Sequence, residues 1–433
     1  MKKILCLALC LLLSGGLACT KTPQEETDGG TEGAAATAEP TEEPTSEPLT
    51  DAERIVDSED KTDAEKELGD IEDYADFANL LSSTVLYGKN ANANFSPISL
   101  YLALSMAAEA AGGSTQQELL SILGASDIDS LRQTNQAMWT ALQIKNDVSE
   151  LELNNSFWGN EALSLLDSFC EQLKSSYNAE AYSVPLGDPA TWARIGSWIS
   201  EKTRGTLAPE VEFSEDDLMV LINTIYLKSQ WETAFDSQNN TTEPFNLADG
   251  TSQDVTFMNQ SLESATLSTG DNYQRLSMTL QGMGSMLFIL PNEGTDVSEL
   301  FATPQAVETA LSGGTTEAYR VNLSLPKFTF ENEYELIPIL QTLGVASPFG
   351  SNADFSNATE LEARISSIIQ GTFIDVNELG VEASAYTMIG LRSTSIGQEL
   401  PVINLKFDRP FMFAITAHDG TLLFVGLVQN PAA

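Results

Sequence analysis

Three features of the 433-residue chain predict an α+β fold. Apolar residues recur at helical spacing in the first third, and the later half carries apolar runs of strand length. No second composition shift interrupts positions 71–433, so helices and sheets share one large domain. At 42% hydrophobic residues, the chain has enough apolar surface to bury a core.

The amino terminus reads as an address. Lys2 and Lys3 precede an apolar run over 4–13 that is too short to cross about 30 Å of hydrocarbon, and small residues follow. Residues 1–18 are therefore expected to be a secretory signal. Its end, Leu17-Ala18-Cys19, resembles a bacterial lipoprotein signal, in which Cys19 is lipidated and becomes the first mature residue. Gly16 departs from that pattern, where a larger aliphatic is usual; the alternative is ordinary cleavage after Ala18 with Cys19 left as a free thiol. Either route exports the protein. Residues 19–70 form the next segment, almost without large apolar side chains and with 17 acidic against 4 basic residues. Such a segment cannot repay the entropy of ordering and is expected to be a solvated stalk with a reach of roughly 40 Å. The folded body is placed at 71–433.

Within the body, Tyr74, Phe77, Leu80, Leu81 and Val85 predict a first helix. Ser96-Pro97, a cap residue followed by proline, opens a second that runs through Leu102, Leu104 and Met106 towards Gly112. Thr115 and Glu118 have the spacing of a capping box ahead of Leu119, Leu120, Ile122 and Leu123. Residues 165–177 read as a helix carrying Cys170, a packed small hydrophobe. The stretch 218–226 is nearly all apolar, as a strand buried on both faces would be. Further strands are expected over 277–290, 320–325, 365–376, 402–407, 411–416 and 422–428. Asp419-Gly420 signals a hairpin between the last two, which puts His418 on a loop tip.

Charge and histidine content exclude much chemistry. With 62 acidic and 21 basic residues the formal charge is -41, of which about -30 falls on the body, so the basic footprint that nucleic acid requires is missing. A histidine-based nucleophile or an imidazole zinc site would have to run through His418. No glycine-rich phosphate loop occurs, and no acidic pair stands out as the carboxylates of a hydrolase. Neither cofactor nor metal is expected, and the chain is not read as an enzyme. With Cys6 and Cys10 removed and Cys19 lipidated, Cys170 has no partner for an intrachain disulfide.

Several separated stretches then match one family in order. They are Asn94-Phe95-Ser96-Pro97-Ile98-Ser99 with Gly112-Gly113-Ser114-Thr115; Trp198-Ile199-Ser200-Glu201-Lys202-Thr203-Arg204-Gly205; Asn223-Thr224-Ile225-Tyr226-Leu227-Lys228 with Trp231 and Phe235; Leu325-Pro326-Lys327-Phe328; Ala353-Asp354-Phe355-Ser356; and Asp408-Arg409-Pro410-Phe411 with Asn430-Pro431. From about Tyr74 to Pro431 the chain resembles the serpins. The resemblance implies three β-sheets, eight or nine helices and an exposed reactive-centre loop offered to a protease. In inhibitory members the protease cleaves this loop, forms an acyl-enzyme, and is carried to the far pole as the loop inserts into the main sheet. It also implies that Ser96, Ser99 and Asn223 lie where the sheet parts and that Trp231 lies at the top where the loop enters. Gln370 stands where a histidine is usual; glutamine cannot titrate, so a pH dependence of insertion that relies on that histidine should be absent.

The loop itself supports insertion. Glu378, Gly380, Glu382, Ala383, Ser384 and Ala385 match the hinge of inhibitory serpins, whereas Val381 replaces a usual Thr or Ser and bulky Tyr386 a usual small residue. Strand alternation puts Val381, Ala383, Ala385, Thr387, Ile389 and Leu391 on one face, all small or apolar. Both formal charges, Glu382 and Arg392, lie on the other face, and no proline interrupts the segment. Family-like spacing from Glu378 sets the reactive bond at Thr394-Ser395, with Arg392-Ser393 as the alternative. The first suits an elastase-like or subtilisin-like serine protease, the second a trypsin-like one. The expected protein is thus a suicide-type inhibitor of serine, and by extension cysteine, endopeptidases, monomeric and lipid-anchored at the cell envelope or extracellular. The other reading is a serpin-fold surface protein that does not inhibit.

Overall fold

The computed structural model describes residues 72–382 and 400–433. Among these are eight α-helices, in chain order α1 (Tyr74–Leu86), α2 (Pro97–Ala110), α3 (Gly113–Ile122), α4 (Ile128–Leu142), α5 (Asp167–Tyr177), α6 (Pro189–Lys202), α7 (Pro304–Ser312) and α8 (Ile337–Thr342). Asp73 caps α1 by accepting hydrogen bonds from the backbone N–H groups of Ala75 and Asp76, and the helix buries Phe77, Leu81 and Val85. Every residue of α2 is buried, so this helix is the central rod of the helical layer.

Two local expectations fail here. Thr115 and Glu118 do not form a capping box, because α3 starts earlier, at Gly113. The Thr115 hydroxyl accepts from Asp354 N–H at 3.0 Å, and the Glu118 carboxylate accepts from Ser347 N–H at 2.9 Å; both side chains serve tertiary partners in the 346–356 segment. Ser96 stands at the cap position of α2 without capping it, and its hydroxyl donates instead to the Leu423 carbonyl at 2.8 Å.

The strands are β1 (Ala93–Phe95), β2 (Ile144–Lys145), β3 (Ser149–Asn160), β4 (Ala179–Val184), β5 (Met219–Gln230), β6 (Thr241–Asn246), β7 (Ser252–Thr269), β8 (Tyr273–Leu280), β9 (Gly284–Pro291), β10 (Thr315–Pro326), β11 (Phe328–Glu335), β12 (Ile365–Ser367), β13 (Ile369–Asn377), β14 (Gly380–Val381), β15 (Val402–Lys406), β16 (Phe411–Ala417) and β17 (Leu422–Val428). The expected run 277–290 is a hairpin, β8 and β9, broken at Gly282, whose φ of 66° suits a tight turn. The expected run 365–376 divides at Ile368 into β12 and β13. Ala417 and Thr421 close the β16–β17 hairpin around His418, as Asp419-Gly420 predicts.

Hydrogen bonding joins these strands into two networks. The first runs β1-β17-β16-β9-β8-β7-β10-β15 with β6 on β7. The 18-residue β7 pairs in turn with β6, β10 and β8, and so links two of the three sheets that the resemblance implies. The second is the central sheet, β11-β13-β14-β5-β3-β2, with β4 on β3 and β12 on β5. Between the networks lies an apolar core rich in phenylalanine, where the Phe328 ring centroid lies 5.9 Å from that of Phe411 and 5.7 Å from that of Phe413. On the far face of the central sheet, α6 packs Ile195, Trp198 and Ile199 against Val220 and Ile222 of β5. Side chains of β5 at odd positions therefore face the core, and those at even positions face α6.

Candidate functional site: a slot in the central sheet

Two residues occupy a strand position of their own. Gly380 and Val381 form β14 between β13 and β5, with Val381 opposite both Val376 and Ser229 and Gly380 opposite Asn377 and Gln230. Gly380 is required by close approach, since a Cβ there would collide with the Ser229 carbonyl oxygen. Val381 is 3% exposed and joins the core between the sheets, so an apolar residue suits a position where the family pattern has Thr or Ser.

Below β14 the sheet parts. Among the described residues, no ladder joins 221–227 of β5 to 369–375 of β13; β5 pairs there with β3, and β13 with β11. Pairing across the opening resumes only at its foot, where Ile365 and Ser367 lie alongside Met219 and Val220. The outer mouth is a cleft of about 350 Å³, lined by Ile222, Thr224, Gly371, Leu207, Val211 and Phe213. The buried Thr224 hydroxyl has no hydrogen-bond partner among the described residues. A parted sheet with two facing strand edges is a template for one more strand.

The polar residues expected at the parting point are brought together. Ser99 of α2 donates to the Asn223 side-chain oxygen, Asn223 Nδ2 donates to Asn155 Oδ1 at 2.6 Å, and Asn155 Nδ2 donates to the Tyr177 carbonyl at 2.7 Å. Gln370 is buried and bonds both backbone groups of Ser96, accepting from its N–H at 3.0 Å and donating to its carbonyl at 2.9 Å. Thr372 donates to the Asn94 carbonyl at 2.7 Å. Helix α2 and strands β1, β3, β5 and β13 thus meet on a network of buried hydrogen bonds.

Trp231 is buried beside the residues that lead into β14. Its indole N–H donates to the Asn377 carbonyl and its backbone N–H to the Leu379 carbonyl, both at 2.9 Å. Phe235 N–H donates to the Glu378 carbonyl at 2.9 Å. The Glu378 carboxylate receives Lys327 Nζ at 2.9 Å and Asn240 Nδ2 at 2.6 Å. Burial pushes the Glu378 carboxyl up, yet the Lys327 and Asn240 hydrogen bonds outweigh it and hold the group below the usual carboxylate range. Sequence reasoning singled out Glu378 but not its partner Asn240, nor Asn155, because neither has a local signature; Lys327 stood in the Leu325-Pro326-Lys327-Phe328 stretch, which does not announce its pairing with Glu378.

Ala383, Ser384, Ala385, Arg392, Ser393, Thr394 and Ser395 lie outside the described residues, as does Cys19. Cys170 is a free, half-buried thiol whose pKa burial raises, in keeping with a packing role. No cluster of metal-ligating side chains occurs among the described residues, and none of their helices is long and apolar enough to cross a membrane.

The comparisons agree with this architecture. The family model described as serpin (serine protease inhibitor) matches residues 72–431. An uncharacterised serpin-like protein of Thermococcus kodakarensis is 33% identical over 362 residues, covering 80% of this chain and 82% of its own. Serpin A3-8 of Bos taurus is 31% identical over 386 residues, covering 82% and 87%. Among solved structures, the thermophilic serpin tengpin in its native state has a TM-score of 0.73 at 27% identity, covering 83% of this chain and 94% of that one. Thyroxine-binding globulin in complex with thyroxine has a TM-score of 0.72 at 26% identity, covering 83% and 99%. With its central sheet parted below a seated hinge and the family model spanning its whole described body, the chain belongs to the serpins, a family of protease inhibitors rather than enzymes.

Proposed function

We propose that this protein is a suicide-type inhibitor of serine endopeptidases, with cysteine endopeptidases as a secondary class, that traps its target by inserting its cleaved loop into the central sheet. The observation that carries the reading is β14: the hinge is already seated between β5 and β13, directly above strand edges that no other strand among the described residues occupies.

Register supports it further. A strand continuing down from Val381 in the same antiparallel register would place position 387 opposite Asn223 on one side and Gln370 on the other. Position 386 would fall on the outer face, opposite Thr224 and Gly371. A glycine, Gly371, in the lining of the cleft leaves room for the bulky Tyr386. Core-facing positions 383, 385, 387, 389 and 391 are Ala, Ala, Thr, Ile and Leu, so insertion buries no charge.

The chemistry is the target's own. Its nucleophile attacks the carbonyl of Thr394, or of Arg392 in the alternative, and insertion of the freed arm separates the acyl-enzyme from the machinery that would hydrolyse it. Thr394 suits elastase-like or subtilisin-like targets; cleavage after Arg392 would shorten the arm by two residues, about 7 Å. An acidic body favours encounter with cationic proteases, an effect on rate that fades as salt rises. We place the body at an envelope or outside the cell, tethered by lipid on Cys19 through the 19–70 stalk.

The test is incubation of the body with elastase-, subtilisin- and trypsin-like proteases. The expected result is an SDS-resistant complex, a C-terminal fragment beginning at Ser395, and a large rise in melting temperature of the cleaved inhibitor. The similarity to thyroxine-binding globulin keeps a non-inhibitory reading in view. Its signature is cleavage as a plain substrate, with no complex and no thermal gain. Val381→Arg, which would bury a charge, should turn inhibitor into substrate under the first reading alone.

A further inference from the structure

The cleft over the parted strands is crossed by a row of polar positions. Thr224 of β5 stands opposite Asn154 of β3, and Gly371 of β13 stands opposite Glu333 of β11. Extending the β14 register along both edges brings Thr224 and Gly371 to one level of the opening. Directly opposite residues share a face of a sheet, so the outer face carries Asn154, Thr224, the opening, Gly371 and Glu333 in sequence.

Both ends of this row hold groups that lack partners. Thr224 is 5% exposed with its hydroxyl unpaired, and the Asn154 Nδ2 beside it is unpaired as well. A buried hydroxyl without a hydrogen bond is costly and calls for one. At the other end, Glu333 and Glu331, two residues apart on the same face, line the cleft, are exposed, and make no hydrogen bond or ion pair among the described residues. Between the ends the lining is apolar, with Val211, Phe213 and Ile222, and it includes no lysine or arginine. Gly371 leaves the middle of the row open, since even a Cβ there would meet only the Leu207 side chain, at 3.4 Å. The volume of about 350 Å³ lies in the range of small-molecule sites.

We propose that this cleft binds a small organic cation: an ammonium directed at Glu331 and Glu333, an apolar or aromatic body over Phe213 and Ile222, and a hydroxyl that pairs with Thr224. Charge sets the sign, because the rim is acidic, the lining holds no cation, and a body carrying about -30 attracts cations and repels anions. The binding does not depend on the inhibitory reading, but its consequence does. Position 386 of an inserted strand would enter at the level of Thr224 and Gly371, so ligand and inserted loop exclude each other. A bound cation therefore stabilises the uncleaved form and opposes insertion.

The experiment is calorimetric titration of the uncleaved protein with tyramine, which carries an ammonium, an aromatic body and a hydroxyl at opposite ends. Tyrosol, its uncharged counterpart, and phenethylamine, which lacks the phenol, are titrated alongside. Saturable one-to-one binding of tyramine is expected. Thr224→Val should weaken tyramine roughly fivefold and leave phenethylamine unchanged. Glu331→Gln with Glu333→Gln should weaken tyramine roughly threefold, less as salt rises because both side chains are exposed, and leave tyrosol unchanged. Gly371→Leu fills the middle of the row and should abolish binding of all three, which keeps the test alive if Thr224→Val folds poorly. No binding of tyramine at millimolar concentration, or binding indifferent to all of these substitutions, overturns the site whether or not covalent complexes form with proteases. Loss of tyramine binding after cleavage of the loop is the expected result for an inserted strand. Equal binding before and after cleavage supports the site and overturns the inhibitory reading.

Discussion

Gln370 grips Ser96 at both ends of one amide, taking the backbone N–H at 3.0 Å and giving to the carbonyl at 2.9 Å, in a site sealed from solvent. This pair couples β13 to the start of α2 next to the point where the sheet opens. Only a side chain with one acceptor and one donor can satisfy both groups. Gln370→Ala leaves both backbone groups of Ser96 buried without these partners, and should cost about 1–3 kcal/mol in denaturant unfolding. Gln370→His should retain stability at neutral pH but lose about 1–2 kcal/mol in acid. Burial lowers the folded pKa of such a histidine, so its stabilisation is present above the unfolded value and lost as pH falls through it.

The Lys327–Glu378 pair braces the base of the hinge, with Glu378 further held by Asn240. Glu378→Gln should destabilise the protein by about 1 kcal/mol at neutral pH, because Lys327 remains substantially exposed and its attraction is screened. The folded pKa of Glu378 is lowered, so its contribution is present above the ordinary carboxylate value and lost as pH falls through the folded one. Thermal melts of wild type and variant should therefore converge in acid; melts equally far apart at both ends of the range would contradict this assignment.

Gly380→Ala tests the seating of β14 directly. The added methyl meets the Ser229 carbonyl, so β14 cannot keep its place between β13 and β5. We expect faster proteolysis near the hinge of the uncleaved protein and fewer covalent complexes per cleavage event. Unchanged partitioning would show that the seated pair is dispensable.

Glu109 lies inside the helical layer, 6% exposed, where it accepts two hydrogen bonds from Arg132 of α4 and one from the Tyr177 hydroxyl of α5. Arg132→Ala leaves a buried carboxylate without its cation and should cost roughly 3 kcal/mol in chemical unfolding. Tyr177 also takes the far end of the Asn223–Asn155 chain through its carbonyl, so loosening α5 should be felt at the parting point as well.

Much of the architecture was legible without coordinates because it is written in local pattern. The helical spacing of Phe77, Leu81 and Val85, the apolar run of β5 and the Asp419-Gly420 turn each appear where periodicity and turn chemistry put them. Local signals failed where distant partners outbid them. Thr115 and Glu118 have capping-box spacing, yet both are claimed by the 346–356 segment. Ser96 has the chemistry of a cap and spends its hydroxyl on Leu423. Asn155 and Asn240 carry no motif, and the stretch around Lys327 does not announce its contact with Glu378, far away in sequence.

By itself, then, the sequence determined the class of fold, the scarcity of histidine, and a loop whose alternating side chains suit burial in a sheet, since each is a property of composition or of residues near one another in the chain. Only the tertiary structure decided that Gly380 and Val381 are already between β5 and β13, that the strands part beneath them, and that the Thr224 hydroxyl is buried there without a partner among the described residues. Those facts depend on which strand edges remain unpaired and on which polar groups are buried, and neither is set until residues far apart in sequence come together.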